Sequence, residues 1–294
     1  MSLLDKLKKS SRSAGVAILS ESKLFSEKEL TTTPVPMINV ALSGSIEGGL
    51  ASGLTVLAGP SKHFKTSFAL LMAAAYLKKH DDAVLMFYDS EFGSPQSYFE
   101  SFGIDTSRVL HTPVTNIEEL KFDMVHQLNE IERKDKVIIV IDSVGNIASK
   151  KEVDDAENMK SVADMTRAKA LKGLFRMIIK GYHFVVNVEK SRFVKEKSKI
   201  PISVSWAGGI QKWSGLLDVA VQGGYVVKPK NGWYQARNPA NDQELSGNVR
   251  IKQTLQKAFW TPVFENTDFA QHIEKRFKVG TVEMVTEEDD DACE

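Results

Sequence analysis

The chain has a single cysteine, Cys293, so it can build neither an internal disulfide framework nor a cysteine-rich metal site. It also lacks any run near the roughly 20 uninterrupted apolar residues of a membrane span. The opening MSLLDKLKKSSRS has no apolar stretch of the kind a secretory signal needs. Together these absences predict a cytoplasmic protein with no membrane partner. Net charge is absent as well, with 38 Lys+Arg against 38 Asp+Glu, but the balance is uneven along the chain. The last twelve residues, EMVTEEDDDACE, hold seven acids and no base, leaving residues 1–282 with 38 bases against 31 acids, a net of +7. A basic body suits a polyanionic partner, and the acidic tail either competes for that surface or only keeps the protein soluble. The densest basic cluster is Lys190, Arg192, Lys195, Lys197 and Lys199, diluted by Glu189 and Glu196.

What is present is an ordinary globular composition, 42% hydrophobic and 26% charged, over a length that supports a large domain with appendages. Residues 1–30 read as a separate N-terminal element, with Leu3, Leu4 and Leu7 on a basic helical stretch followed by a serine-rich break. The segment TTTPVP at 31–36 interrupts any helix, because each proline lacks a donor and biases its predecessor towards extended backbone. Beyond it, short apolar runs alternate with helical patterns. Leu54–Ala58, Ala83–Tyr88 and Val137–Ile141 read as buried strands, the last being five β-branched residues of the kind found in parallel sheets covered on both faces. A helix is predicted over Lys65–Lys79. Another carries Ile117, Leu120, Met124, Leu128 and Ile131 behind a capping box of Thr115 and Glu118. A third is predicted over Glu157–Ile179 with a stripe of Leu171, Leu174, Phe175 and Ile178. Tyr182–Val188 and Ile202–Trp206 read as a strand pair, and the remainder, with its KPKNGW turn, is less regular. No internal repeat is visible. The alternation predicts an α/β fold with a mainly parallel central sheet flanked by helices.

The strongest local signal is Gly59-Pro60-Ser61-Lys62-His63-Phe64-Lys65-Thr66, with Ser67 following, set between a predicted strand and a predicted helix. In that context G-x-x-x-x-G-K-[ST] is a phosphate-binding loop. Its backbone N–H groups and the helix N-terminus take up phosphate oxygens, the lysine adds positive charge, and the hydroxyl joins a Mg²⁺ shell. The sequence departs from the pattern at Phe64, where the second glycine would stand. Two acids complete the constellation. Asp142 ends the Val137–Ile141 strand, where a carboxylate holds Mg²⁺-bound water, and Glu91 follows the preceding strand, where it can polarise an attacking water. Loop, metal carboxylate and general base in this order predict a Mg²⁺-dependent nucleoside triphosphatase.

The stretches PMINVALSGSIEGGLASGL, LAGPSKHFKTS, FYDSEFG, RVLHTPV, IDSVGNIASKKE, DMTRAKALKGLFR, NVEKSRFVKEKSK and VVKPKNGWY cover most of residues 1–235. They resemble the RecA-type recombinase family, in particular its branch in T4-like bacteriophages, where phenylalanine also stands at the position of Phe64. The resemblance implies that the nucleotide is ATP, that Gly59 to Thr66 bind its triphosphate, Glu91 activates water, Asp142 assists the metal and Tyr98 stacks on adenine. It further implies that Lys190 and Arg192 reach across to a neighbouring protomer's γ-phosphate, where trans-supplied cations would compensate transition-state charge. Lys150 and Lys151 in the first DNA-binding loop, with Arg167 and Lys169 on the following helix, would contact DNA phosphates.

By the same resemblance the domains are an N-terminal protomer-contact arm (1–30), a RecA-like ATPase core (31–225), a small C-terminal region (226–282) and an acidic tail (283–294). The arm would pack through Leu3, Leu4, Leu7 and Phe25 onto an adjacent protomer, the alternative being a helix packed on its own chain. The partners implied are single- and double-stranded DNA, further copies in a helical filament, a single-strand-binding protein and a loading mediator, all inside the infected bacterial cell. One departure stands out. Lys180-Gly181 leads directly into Tyr182–Val188, where the family inserts a strand, a second DNA-binding loop, a short helix and another strand. A sheet lacking a two-strand block is therefore expected. Two readings follow: a DNA-dependent ATPase acting in strand exchange, recombination, repair and replication, or a filament-associated nucleotide-binding protein without DNA-coupled hydrolysis. A P-loop kinase would need acceptor and lid motifs that the sequence does not show.

Overall fold

The structure is a computed structural model that describes residues 2–12, 16–18, 20, 29–59, 63–132, 134–145, 147–152, 166–181, 194, 198, 200–205 and 209–279. The helices are α1 (Leu3–Ser10), α2 (Pro36–Ser43), α3 (Lys65–Lys79), α4 (Gln96–Ser101), α5 (Ile117–Glu130), α6 (Thr166–Gly181), α7 (Leu216–Gln222), α8 (Ile251–Thr254), α9 (Lys257–Asn266) and α10 (Phe269–Phe277). The strands are β1 (Leu30–Thr31), β2 (Leu50–Ala51), β3 (Val84–Asp89), β4 (Val109–Pro113), β5 (Val137–Asp142), β6 (Val204–Ser205), β7 (Gly209–Ile210), β8 (Val226–Val227), β9 (Trp233–Ala236) and β10 (Val249–Arg250).

The element that positions the site is a parallel three-stranded sheet in the order β4-β3-β5. Alternation along β3 explains its two-sided burial, since successive side chains point to opposite faces. Met86 and Tyr88 pack with Ile117, Leu120 and Met124 of α5 and Leu174 of α6. Leu85 and Phe87 pack with Leu70, Ala73 and Leu77 of α3 and Phe99 of α4. The predicted mixed α/β arrangement with helices on both faces is what forms, and α3 spans the predicted residues. Leu171, Leu174 and Phe175 take the predicted stripe on α6. That helix runs over Thr166–Gly181, and residues 157–165 of the predicted helix lie outside the described residues.

Three expectations are corrected, and a fourth has only one of its two strands among the described residues. Leu54–Ala58 joins no strand among the described residues. It lines a cavity of about 850 Å³ whose other wall includes Val137–Asp142 of β5. Among the described residues β5 pairs with β3 alone, and its side chains are half-buried rather than covered on both faces. Asn116, not Thr115, caps α5. Its side chain accepts the Glu119 N–H, while Thr115 donates through backbone and hydroxyl to Glu119 Oε2. The capping logic is intact but shifted by one residue, because the amide side chain reaches the N3 donor. Val204–Ser205 pairs with Gly209–Ile210, and its predicted partner Tyr182–Val188 lies outside the described residues.

A second core joins α2 to the C-terminal half. Met37 and Val40 pack with Leu216, Val219, Val226, Trp260, Phe269, Ile273 and Phe277. Trp260 is fully buried, stacks on Phe269 and donates its indole N–H to the Thr254 carbonyl, so its one polar atom is satisfied. The region read as less regular contains the antiparallel sheet β10-β9-β8 and the four helices α7 to α10. Helix α1 buries none of its residues, and Leu3, Leu4 and Leu7 are 73%, 53% and 57% exposed. The reading in which this helix packs on its own chain is therefore not met.

Candidate functional site at the carboxyl edge of the sheet

Four polar groups converge where β3 and β5 end beside the first turn of α3. Thr66 Oγ1 donates to Asp142 Oδ2 at 2.6 Å. Ser143, the next residue along, donates its hydroxyl to Glu91 Oε1 at 2.9 Å. Lys65, Thr66, Glu91, Asp142 and Gly59 all line the 850 Å³ cavity. Parallel pairing in register brings this about, because Asp89 of β3 stands opposite Asp142 of β5 and the chain after each strand turns over the same edge.

The site's electrostatics follow from crowding. Burial pushes the Asp142 carboxyl above the ordinary aspartate range. The Thr66 hydrogen bond opposes that shift, nearby Glu91 and Asp89 add to it, and Lys65 pulls it down. An anionic edge of this kind favours a cation, or a protonated carboxyl in its absence. Phe64 closes the loop onto α3 with φ +58°, ψ +18°, so the position where the phosphate-loop pattern has glycine does take the left-handed conformation. A side chain there costs on the order of 1 kcal/mol. Around Gly59 a Cβ would meet no heavy atom within 4 Å, so its backbone is open to approach.

The structure brings together Gly59, Lys65, Thr66, Glu91 and Asp142, and places Ser67 and Tyr98 alongside, their hydroxyls 2.6 Å apart. His63 is exposed at the mouth of α3. Pro60, Ser61, Lys62, Lys190 and Arg192 lie outside the described residues, as does the side chain of Arg167. Lys150 and Lys151 are exposed on a helical turn held by reciprocal bonds between Ser149 and Glu152, and the Lys150 N–H donates to Glu118 Oε2. Lys169 is exposed on α6. Sequence reading missed Ser90, Ser143, Asp89 and His111. Ser90 Oγ accepts the Ser143 N–H and donates to the Ser143 carbonyl, tying the two loops together. A signal did exist for Asp89, a carboxylate closing an otherwise apolar strand.

Fold and site define a parallel α/β protein whose polar machinery sits at the carboxyl ends of its strands, compatible with a RecA-like core. A family model described as the C-terminal domain of the bacteriophage T4 recombination and repair protein matches residues 213–273. The "Recombination and repair protein" of Enterobacteria phage T4 is 43% identical over 342 aligned positions, covering 96% of this chain and 87% of the relative. The chain belongs to the family of that phage recombination and repair protein. The alignment is also longer than the matched part of this chain. Since 96% of 294 residues is about 282, about 60 of the 342 aligned positions have no counterpart here. Among the described residues no helix is long and apolar enough to cross a membrane.

Proposed function

We propose that the chain is an ATP-dependent, single-strand DNA-binding recombinase that assembles as a helical filament, pairs the bound strand with homologous duplex and hydrolyses ATP for turnover. The 2.6 Å contact between Thr66 and Asp142 carries this reading. It sets a helix N-terminal hydroxyl against a strand-end carboxylate, the pairing expected of a phosphate loop and its metal carboxylate. These residues fit ATP and Mg²⁺. The open backbone at Gly59 and the N-terminus of α3 suit phosphate oxygens. Among the described residues no cluster of three His, Cys, Asp or Glu could hold a metal. Mg²⁺ would therefore rest on Thr66, Asp142 and the nucleotide's own phosphates, as is usual for that ion. When bound, Mg²⁺ supplies charge neutralisation at the phosphates. Lys65 adds its ammonium to the same end, and Glu91, oriented by Ser143, accepts a proton from the attacking water. Tyr98, with its hydroxyl anchored on Ser67, offers a ring face to adenine.

Lys190 and Arg192 would act on the neighbouring protomer's nucleotide, and Lys150, Lys151, Arg167 and Lys169 on DNA phosphates, giving binding that weakens steeply with salt. A single-strand-binding protein and a loading mediator are the accessory partners of this reading, in the cytoplasm of the infected host.

The second reading, a filament-associated nucleotide-binding protein without DNA-coupled hydrolysis, is favoured by the cavity between β5 and Leu54–Ala58 and by the roughly 60 aligned positions that this chain lacks. ATP hydrolysis measured with and without single-stranded DNA, with Lys65→Ala as blank, separates the two. DNA-stimulated turnover supports the first, and bound nucleotide with unstimulated turnover supports the second. Full hydrolysis by Lys65→Ala would remove the phosphate-loop assignment, and Glu91→Gln should bind nucleotide but hydrolyse poorly.

A further inference from the structure

Asp89 is the last residue of β3, and its side chain is only 3% exposed. A carboxylate that deep needs its lone pairs occupied, and the way they are occupied concerns Glu91. Oδ1 accepts the backbone N–H of Glu91 at 3.0 Å and that of Phe92 at 2.7 Å. Oδ2 lies 3.2 Å from His111 Nε2, and His111 is the one basic partner given to Asp89 by the ion pairs of the described residues. The carboxylate is acceptor-only, so Nε2 carries the hydrogen in this contact.

The geometry explains why such a clamp is needed. The chain leaves β3 through Phe92 at φ +53°, a left-handed conformation that a phenylalanine adopts only when its surroundings impose it. Its ring is 62% exposed, so packing of the ring does not impose that turn. The two N–H bonds to Asp89 do. The same turn sets the position from which the Glu91 carboxylate meets Ser143. His111 stands on β4, paired through its backbone with Phe87, so the edge strand braces the clamp from the far side.

We propose that Asp89 and His111 are positioning residues for Glu91, holding the loop that carries the general base while touching neither nucleotide nor metal. This rests on the ATPase reading above. Held this way, the pair acts on turnover more than on nucleotide affinity, because the misplaced group would be one used in the chemical step.

The test uses the full-length chain with three substitutions: His111→Leu, which removes the donor; His111→Gln, whose amide can still donate to Asp89; and Asp89→Asn. Two readouts are taken, kcat and KM for ATP in saturating single-stranded DNA, and hydrogen exchange of the Glu91 and Phe92 amides without nucleotide. His111→Leu and Asp89→Asn should lower kcat about tenfold to a hundredfold with KM within about twofold, and should speed exchange at both amides. His111→Gln should stay close to the wild type in both. Wild-type kcat and exchange in His111→Leu would overturn the proposal, as would a raised KM at unchanged kcat. A wild-type chain that does not hydrolyse ATP would instead overturn the ATPase reading. That outcome is distinct, since the exchange measurement needs no turnover.

Discussion

Thr66 and Asp142, 76 residues apart in sequence, meet through a 2.6 Å hydrogen bond that joins the first turn of α3 to the end of β5. The bond satisfies Asp142 only in part, since burial and the neighbouring Glu91 and Asp89 still raise its pKa. A carboxyl with a raised folded-state pKa binds more protons folded than unfolded, so its contribution to stability falls as pH rises above the ordinary aspartate value. Asp142→Asn keeps an acceptor for Thr66 and removes the charge. It should therefore melt higher than the wild type at pH 7 without nucleotide, and the gap should close as pH is lowered towards 4. Mg²⁺-dependent nucleotide affinity should fall by about tenfold or more. A lower melting temperature at pH 7 would contradict this account.

Phe64 holds a left-handed backbone that a β-branched residue tolerates least. Phe64→Val should destabilise by about 2 kcal/mol, combining backbone strain with lost packing. Phe64→Gly gains backbone freedom while losing the ring, so it should stay within about 1 kcal/mol of the wild type and still bind nucleotide. Urea unfolding of the two variants checks the order.

Arg108 donates to the carbonyls of Leu77, His80 and Ala83, tying the end of α3 to the start of β4. These include carbonyls at a helix end that have no helical partner. Arg108→Met should cost about 2–4 kcal/mol through charged hydrogen bonds lost and carbonyls left unpaired. Arg108→Lys should recover less than half, because one ammonium cannot reproduce the guanidinium fork. Thermal melts followed by circular dichroism give both numbers.

Leu3, Leu4 and Leu7 form an exposed apolar ridge on α1 that this chain does not bury. Changing Leu3 and Leu7 to Glu should leave the melting temperature within about 1 °C, since exposed side chains contribute little to the monomer. Sedimentation should show weaker self-association. A large loss of stability with unchanged assembly would place the helix against its own chain.

Much of the α/β core was legible locally. The β-branched run at Val137–Ile141, the helix from Lys65 and the stripe Leu171, Leu174 and Phe175 each carry their period in consecutive residues. Glu91 and Asp142 were legible because strand ends mark where side chains reach the carboxyl edge. Leu54–Ala58 was not, because its composition suits a buried strand and says nothing about whether a neighbour exists to pair with it. The cap of α5 was misplaced by one residue because Thr115 and Asn116 compete for the same donor with similar side chains.

Local sequence by itself determined which segments turn, coil or extend, and which residue types stand at the strand ends, since these depend on φ/ψ preference and on periods of two and 3.6. Tertiary structure alone decided that His111 meets Asp89, that Ser143 meets Glu91, and that α2 belongs with the C-terminal core. Those pairings join residues on different strands or in distant parts of the chain. They form only when strand register and helix packing bring the groups within hydrogen-bond or van der Waals reach, a condition no local pattern encodes.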